Sequence, residues 1–449
     1  MPHLADPLRR TRRRVPCSGH TRRRDGGQDA ETVRHRRRHA ARVATRGDGV
    51  KGPLAPDGAP HPRVGVPNTE ETWARVQPLL ARYGITRVAD VTRLDHIGIP
   101  VSVAVRPLAE TYATTQSAGL TPSMAHGLAT MRSVELAHAE RFDPPVCEAT
   151  AYDLRLPYAV DALNTLPTSG PLAHVKLAWA PGRTLLGGEP VPLPLQLLRL
   201  SFASDDPADP GDPGEPRVLR ASRSGLASGG TLPEAALDGL YRVVERHALA
   251  GLGSDGPDPL VRVDLSTLDN AHLRGLLDRL AEASTQIEMA FVRNALGVPV
   301  FLAFVWSPLH PLVAAGVGAD LDLGAAMCRA IGQAVQARLT RITAVRDDLP
   351  SEHRPPHASD PLLSISRGRP VAEATEGYRT DHDDPGAALE DLARRVQEYT
   401  GMPPLLAELS TGSDPFTVVR VVCPGLEHAR RESEAILRLT PCAGGPSRL

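Results

Sequence analysis

Residues 224–250, with the sequence SGLASGGTLPEAALDGLYRVVERHALA, decide how the rest of the chain is interpreted. The glycines between 225 and 230 predict a turn. Thr231, followed three residues later by Glu234, predicts a capping box at the start of a helix. Apolar residues then recur at helical spacing and predict one buried stripe, formed by Leu237, Leu240, Val244 and Ala248.

The other face of this predicted helix is polar and carries Glu234, Asp238, Arg242 and Glu245, with Arg246 beside them. A glycine turn before a helix favours an anion such as phosphate, because free backbone N–H groups and the helix dipole point towards it. Carboxylates further along the helix could then hold a metal ion on that anion. The alternative is an ordinary turn followed by a solvated charged face, which is a frequent pattern.

The composition excludes several classes of protein. The net charge of −1 over 449 residues gives no overall field that would attract nucleic acid or a membrane surface. No apolar run is long enough to cross a membrane. The five cysteines lie far apart and form no CxxC pair, so we expect a reducing, cytoplasmic location.

Three regions are expected along the chain. Residues 1–64 are predicted to be a disordered arm, since they are rich in Arg, Gly and Pro and lack apolar periodicity. Residues 65–427 are predicted to form a single domain, and residues 428–449 a loose tail. Residues 1–46 hold 14 arginines against four acidic residues. Such an arm could bind nucleic acid, but without aromatic residues to stack on bases it is better interpreted as an inert tail or the product of an upstream start codon.

Helical and strand patterns interleave without a regular βαβ rhythm, which predicts a mixed α/β fold. The predicted helices cover residues 69–83, 120–142, 231–250, 271–283, 323–343 and 387–399. The predicted strands cover residues 86–91, 97–105, 174–180, 195–202, 260–265, 286–292, 298–306 and 416–423. Residues 204–216 and 349–385 are predicted to be surface loops.

Several common catalytic motifs are absent from the sequence. It contains no GxxxxGK[ST] phosphate loop, no GxSxG elbow and no HExxH zinc motif. Five other segments, in the same order along the chain, resemble YcaO-domain proteins. They are 83–101 (YGITRVADVTRLDHIGIPV), 119–125 (GLTPSMA) leading into 134–140 (VELAHAE), 224–250, 329–338 followed by 346–348 (RDD), and 418–426 (VVRVVCPGL).

The resemblance implies a single YcaO-like α/β domain in which glutamates on several helices hold ATP and Mg²⁺. It also implies a reaction on a peptide-backbone amide. A Cys, Ser or Thr side chain of the peptide, or an external sulfide, attacks the amide carbon, and the amide oxygen takes the γ-phosphoryl group of ATP. The products would be azolines or thioamides of ribosomally made peptides. The implied partners are the peptide substrate and a leader-peptide-binding or TfuA-like protein, and an oligomer is compatible with the resemblance.

The chain departs from the family pattern at several of these positions. On the first helix the family has Ser, Glu, Glu and Arg where this chain has Leu128, Arg132, Glu135 and Leu136. On the central helix Glu, Glu and Arg correspond to Arg242, Glu245 and Arg246. On the later helix Arg and Glu correspond to Arg329 and Gln333. The resemblance therefore leaves Glu135 and Glu245 as metal ligands, and places all the charged residues and Gln333 at the nucleotide.

The departures leave two interpretations open. Arg132 and Arg242 could bind the triphosphate directly, since Arg pairs well with phosphate oxygens. Alternatively, nucleotide binding is lost and a scaffold for a peptide or partner protein remains, so the sequence does not decide whether the chain is an enzyme. We expect Glu135, Glu245, Arg246 and Arg329 to converge on one cleft. Arg132, three residues from Glu135, is the expected partner of that carboxylate.

Overall fold

The computed structural model describes residues 69–166, 170–201, 216–252, 260–344, 368–378 and 384–426. Within these ranges the chain is a mixed α/β structure with three sheets, as the sequence predicts. The predicted arm (1–64), the predicted tail (428–449) and the segment 346–348 lie outside the described residues. The same holds for most of the predicted loops 204–216 and 349–385. The division into three regions therefore stays a prediction.

The strands follow one another in a simple order within each sheet. The first sheet has the order β1-β2-β3, the second β4-β5-β13-β14-β7 with β6 also on β5, and the third β11-β10-β9-β8-β12. The strands are β1 Arg87–Asp90, β2 Val101–Val105, β3 Thr114–Ala118, β4 Cys147–Thr150, β5 Lys176–Thr184, β6 Pro190–Pro194, β7 Leu226–Gly229, β8 Leu260–Asp264, β9 Gln286–Val292, β10 Val300–Ser307, β11 His310–Ala319, β12 Arg369–Pro370, β13 Leu405–Glu408 and β14 Thr417–Val422. Neighbouring strands are antiparallel, except that β12 runs parallel to β8.

Helices cover the sheets, and most long helices lie where the sequence predicts them. They are α1 Thr69–Val76, α2 Pro122–Glu140, α3 Ala151–Leu154, α4 Leu195–Leu198, α5 Leu232–Ala250, α6 Ala271–Glu282, α7 Leu323–Thr343, α8 Val371–Ala374 and α9 Pro385–Thr400. After α1 the chain continues as a 3₁₀ helix, Gln77–Tyr83, with Pro78 in its first turn. Gly84 ends this segment in the left-handed conformation with φ of 72°, which glycine adopts without strain.

Three long helices surround the centre of the molecule. Helix α2 packs on β2, β3 and β7, α5 packs on β7 and β14, and α7 packs on β10 and β11. Strand β7 thus lies between α2 and α5. Each helix begins with a side-chain cap that accepts a backbone N–H of the first turn, from Thr121, Thr231 and Asp322 respectively.

The predicted glycine turn at residues 225–230 is wrong, because most of it is strand β7. Residues 226–229 pair antiparallel with β14, from Leu226 opposite Arg420 to Gly229 opposite Thr417. Gly225 precedes the strand with φ of 73°, and a Cβ there would lie 2.0 Å from the Val421 carbonyl oxygen. The glycines therefore allow close backbone contact with β14 rather than forming a phosphate-binding turn.

The predicted strand at residues 195–202 is also wrong. Residues 195–198 form the short helix α4, and the chain leaves regular structure after Leu198. The side chain of Gln196 explains the difference, since its Nε2 donates to the Pro216 carbonyl and its Oε1 accepts from the N–H groups of Val218 and Leu219. These contacts hold a distant segment that no local pattern reveals.

Strands β3, β4, β6, β11 and β13 were not predicted. Strand β11 shows why, since its sequence HPLVAAGVGA has few β-branched residues. The described residues contain no helix long and apolar enough to cross a membrane.

Candidate functional site

Glu135 lies at the centre of a polar cluster between α2, α5 and β7. Its side chain is buried and faces away from solvent along α2. The Ser228 hydroxyl of β7 donates to Glu135 Oε1 at 2.8 Å. The Arg242 guanidinium of α5 donates to both carboxylate oxygens, at 2.7 Å and 3.1 Å. Such a bidentate pair fixes the carboxylate firmly in place.

Asp238 extends this cluster from α5 to α7. It is buried and lies one helical turn before Arg242, whose Nη2 is 2.8 Å from Asp238 Oδ2. Arg329 of α7 donates to Asp238 Oδ1 at 2.7 Å. Burial by itself would raise the pKa of Asp238, but Arg242 and Arg329 outweigh it and lower the pKa to about 2. Asp238 is therefore a stable anion that joins the two helices.

Asp320, at the end of β11, is the third carboxylate of the cluster. Its Oδ2 lies 3.4 Å from Arg329 Nε without forming a hydrogen bond. Burial raises the pKa of Asp320 to about 6 in spite of Arg329. The charge of this group therefore changes within the range of ordinary buffers.

Arg132 does not pair with Glu135, contrary to the expectation from the sequence. It is half-buried, and no carboxylate of the described residues lies within ion-pair distance of its guanidinium. Glu135 points towards β7 and α5, where Ser228 and Arg242 satisfy it. Burial, reinforced by the nearby charge of Arg242, lowers the pKa of Arg132 to about 10. This arginine is a cation in a protein environment that lacks its own counterion.

The remaining sequence-predicted residues have varied positions. Gln333 on α7 uses its Oε1 to accept the backbone N–H of Val317 on β11, at 2.6 Å, so it ties helix to sheet. Glu245 contributes to raising the pKa of Arg242, after the larger effects of Asp238 and Glu135. Arg246 is half-buried on the same helix. The structure thus brings Glu135, Arg242 and Arg329 into one network, with Asp238 as the link.

The residues present do not by themselves make a Mg²⁺ site. Mg²⁺ needs several hard oxygen ligands in near-octahedral geometry. Glu135 and Asp238 are both occupied by arginine side chains, and Arg242 contacts both. Among the described residues there is no group of three His, Cys, Asp or Glu side chains that could hold a metal ion. The cluster has the composition of an anion site rather than a cation site.

Sequence reasoning missed the parts of Asp238, Asp320 and Ser228 in this cluster. A signal for Asp238 was available, since it stands four residues before Arg242 on the predicted polar face and i, i+4 pairs are neighbours on a helix. Asp320 and Ser228 lie at the ends of strands that the sequence did not predict. No local pattern marks them.

The sequence matches a known family over most of its described length. The family of YcaO cyclodehydratases, described as binding ATP and Mg²⁺, matches residues 116–427. This range contains α2, α5 and α7 and therefore the whole polar cluster.

Relatives and solved structures agree with this match. An uncharacterized protein of Mycobacterium tuberculosis is 32% identical over 372 residues, which cover 80% of this chain and 82% of the relative. An uncharacterized protein from the tfuA 3′ region of Rhizobium leguminosarum bv. trifolii is 30% identical over 384 residues, covering 80% and 87%. The structure of YcaO from Methanopyrus kandleri, bound with AMPPCP and Mg²⁺, has a TM-score of 0.60 at 19% identity and covers 80% of this chain and 91% of its own. This last likeness concerns the fold.

Proposed function

The chain belongs to the YcaO family of cyclodehydratases, and we propose that it activates a backbone amide of a peptide in a reaction that consumes ATP. The cleft between α2, α5 and α7 is the proposed nucleotide site. The observation that carries the proposal is Arg132, a cation in this cleft that no carboxylate of the described residues neutralises. A buried charge without a counterion is costly, so a bound anion would complete the site.

The charges around Arg132 support an anionic ligand. Arg242 and Arg329 are held in place by Glu135 and Asp238, which fixes the directions of their guanidinium groups. Asp320 loses part of its charge near neutral pH because its pKa is about 6. The cluster therefore has an excess of positive charge. Guanidinium groups bind phosphate oxygens with two parallel hydrogen bonds, and this suits a triphosphate.

The chemistry of the proposed reaction requires an electrostatic clamp more than a covalent catalyst. Amide oxygen is a poor leaving group, and phosphorylation of that oxygen makes its departure possible. Prepositioned cations stabilise the negative charge that accumulates on a phosphoryl group during transfer. We assign this part to Arg132, with Arg242 and Arg329 as supporting cations. No step is assigned to Mg²⁺, because the carboxylates are already paired.

A second candidate function is a scaffold that binds a peptide or partner protein without turnover. It is favoured by one observation, the double use of Arg242 by Glu135 and Asp238. That contact fills the space where the family pattern places carboxylates for a metal. In a scaffold the cluster would serve only to hold α2, α5 and α7 together.

The finer features of the function also belong to the proposal. The product would be an azoline or a thioamide in a ribosomally made peptide. A TfuA-like protein is a proposed partner, since one relative is named for its place beside tfuA. A leader-peptide-binding protein is the other proposed partner, and a cytoplasmic location rests on the widely spaced cysteines.

The experiment is a calorimetric titration of the full chain with ATP, once with Mg²⁺ and once with a chelator, alongside a measurement of phosphate release. We expect ATP to bind in both conditions with similar affinity, and Arg132→Gln to weaken binding at least about tenfold, as expected for losing a charge-assisted contact. No binding in either condition would favour the scaffold. Binding that strictly requires Mg²⁺ would contradict the arginine-based site.

A paired variant tests the role of the arginines more sharply. Arg132→Glu combined with Arg242→Glu would place new carboxylates beside Glu135 and Asp238. We expect these like charges to destabilise the fold and Mg²⁺ to restore its stability, because a divalent cation neutralises them. Arg274→Glu on the exposed side of α6 is the matched control and should gain no stability from Mg²⁺. If the paired variant unfolds irrespective of Mg²⁺, the arginines are structural partners only.

A further inference from the structure

A small polar pocket lies beside the end of β14, on the side of the sheet that faces α2. None of the cluster residues Glu135, Asp238, Arg242 and Arg329 lines it. Its walls come from the segment around Asn164, from α4, from the segment that precedes β7 and from β14 itself. The lining residues are Leu163, Asn164, Leu197, Arg220, Ser222, Ser224, Arg420, Val421, Val422 and Cys423.

Arg420 on β14 is the central feature of this pocket. Its side chain is only 2% exposed. One terminal nitrogen, Nη1, donates to the backbone carbonyls of Ser222 and Ser224. The other edge of the guanidinium, formed by Nε and Nη2, has no hydrogen-bond acceptor. That edge is the one that binds a carboxylate or phosphate with two parallel bonds.

A second orphaned group lines the same pocket. The buried hydroxyl of Ser224 has no hydrogen-bond partner. Three polar atoms of two residues are therefore unsatisfied around one small space, whereas buried polar groups are normally paired. Such a concentration indicates a missing ligand.

The charge of the pocket selects the class of that ligand. No acidic residue lines the pocket, and Arg220 adds a second guanidinium to its wall. Burial lowers the pKa of Arg420 to about 9, with only partial compensation from the more distant Glu135. Water could satisfy the three orphaned atoms, but it could not neutralise the buried charge.

We propose that this pocket binds a single oxyanion group, a phosphate or a carboxylate, through the free edge of Arg420 and the hydroxyl of Ser224. The site is distinct from the proposed nucleotide cleft, and its existence does not depend on that function. The size of the donor set fits one oxyanion group rather than a polyphosphate. Inorganic phosphate and the carboxylate of an organic acid or peptide share this chemistry.

The experiment follows the thermal midpoint of the full chain in potassium phosphate and in potassium chloride of equal ionic strength. A ligand that binds only the folded state raises the midpoint in a saturable manner. We expect saturation in the millimolar range or below, and we expect Arg420→Met to abolish it. Identical midpoints in the two salts, or a rise that survives Arg420→Met, would overturn the proposal.

Two controls separate this pocket from other sources of phosphate binding. Arg132→Gln removes the free cation of the nucleotide cleft and should leave the effect of phosphate unchanged. Arg274→Met removes an exposed arginine and should also leave it unchanged, which accounts for general salt effects. Potassium acetate distinguishes the two kinds of ligand, since a saturable rise with acetate that needs Arg420 indicates a carboxylate site. If Arg132→Gln abolishes the effect instead, the pocket is not the binding site.

A milder variant keeps the test decisive if Arg420→Met does not fold. Ser224→Ala removes one hydroxyl and no charge, and no protein hydrogen bond of that hydroxyl is lost. We expect the half-saturating phosphate concentration to rise by roughly tenfold, as for the loss of one hydrogen bond to a charged group. An unchanged half-saturating concentration would overturn the proposal.

Discussion

At the scale of single residues, the polar cluster contains two carboxylates whose environments act in opposite directions. Asp238 contacts two arginines and keeps its charge, whereas Asp320 touches Arg329 only at 3.4 Å and is dominated by burial. Burial disfavours the charged form of an acid, while a close opposite charge favours it. The same element of chemistry therefore has two roles, a permanent anion and a titrating group.

The titration of Asp320 predicts a specific dependence of stability on pH. Its pKa in the folded chain is about 6, above the ordinary value of 3.8. The folded state thus binds this proton more tightly than the unfolded state does. The associated stability is present below about pH 4 and is lost as the pH rises through 6. Over this range the loss is at most on the order of 3 kcal/mol, from the value of one pKa unit.

Asp320→Asn should remove this dependence. We expect the free energy of unfolding of the variant, relative to the wild type, to be higher at pH 7.5 than at pH 4.5 by roughly 1–3 kcal/mol. Denaturant unfolding at the two pH values measures this. His138 and His310, whose pKa values are lowered by burial, titrate in both proteins and cancel in the difference. A difference that does not change with pH would show that Asp320 is ionised throughout.

At the scale of elements, the packing of α7 on β11 fixes the position of Arg329. Two glycines of β11 make this packing possible by close backbone approach. A Cβ on Gly316 would lie 2.2 Å from the Ala334 nitrogen, and one on Gly318 would lie 2.2 Å from the Ala326 carbonyl oxygen. These neighbours are backbone atoms of a helix and cannot rotate away. The strand and helix must therefore move apart if either glycine gains a side chain.

Gly318→Ala should destabilise the fold by about 1–3 kcal/mol or more, the usual range for overpacking. Because its Cβ would also contact the Arg329 Cβ at 2.7 Å, the variant should weaken ATP binding as well. Thermal unfolding and calorimetry measure the two effects.

Gly275→Ala is the matched control for this change. Gly275 lies inside α6 with open space around a Cβ position, so alanine there should stabilise the fold by roughly 0.5–1 kcal/mol. Equal effects of the two substitutions would show that close packing of β11 is not what Gly318 provides.

At the scale of the whole molecule, the first described elements already belong to the core. Val76 of α1 is fully buried, and the Tyr83 hydroxyl donates to Asp414 near the other end of the described chain, at 2.8 Å. Residues 1–64, in contrast, have a composition that cannot bury apolar surface. The boundary of the folded unit is therefore predicted to lie just before α1.

A chain that begins at Gly65 should unfold at the same temperature as the full chain, within about the uncertainty of the measurement. A chain that begins at Gly84 is the control, because it also lacks α1 and the 3₁₀ helix. This second chain should lose several degrees, since buried side chains such as Val76 and Tyr83 are removed. A loss of several degrees in the first chain would move the boundary towards the N-terminus.

The sequence by itself determined those features in which neighbouring residues carry all the information. The capping box at Thr231 and Glu234, the bounds of α7, and the hairpin of β9 and β10 are present as predicted. Helix caps, helical periodicity and short turns depend on residues within a few positions of each other. The resemblance, which is carried by five such segments in order, is confirmed by the family match.

Only the tertiary structure decided which charges meet. Glu135 pairs with Arg242, 107 residues away, rather than with Arg132 on its own helix. Strand β7 formed from a glycine-rich segment because β14 lies against it, and Arg420 lost its solvent without gaining a carboxylate. The strength of a charge interaction depends on distance and burial, which spacing along a helix does not give. The packing of α2, α5 and α7 therefore decided the partners.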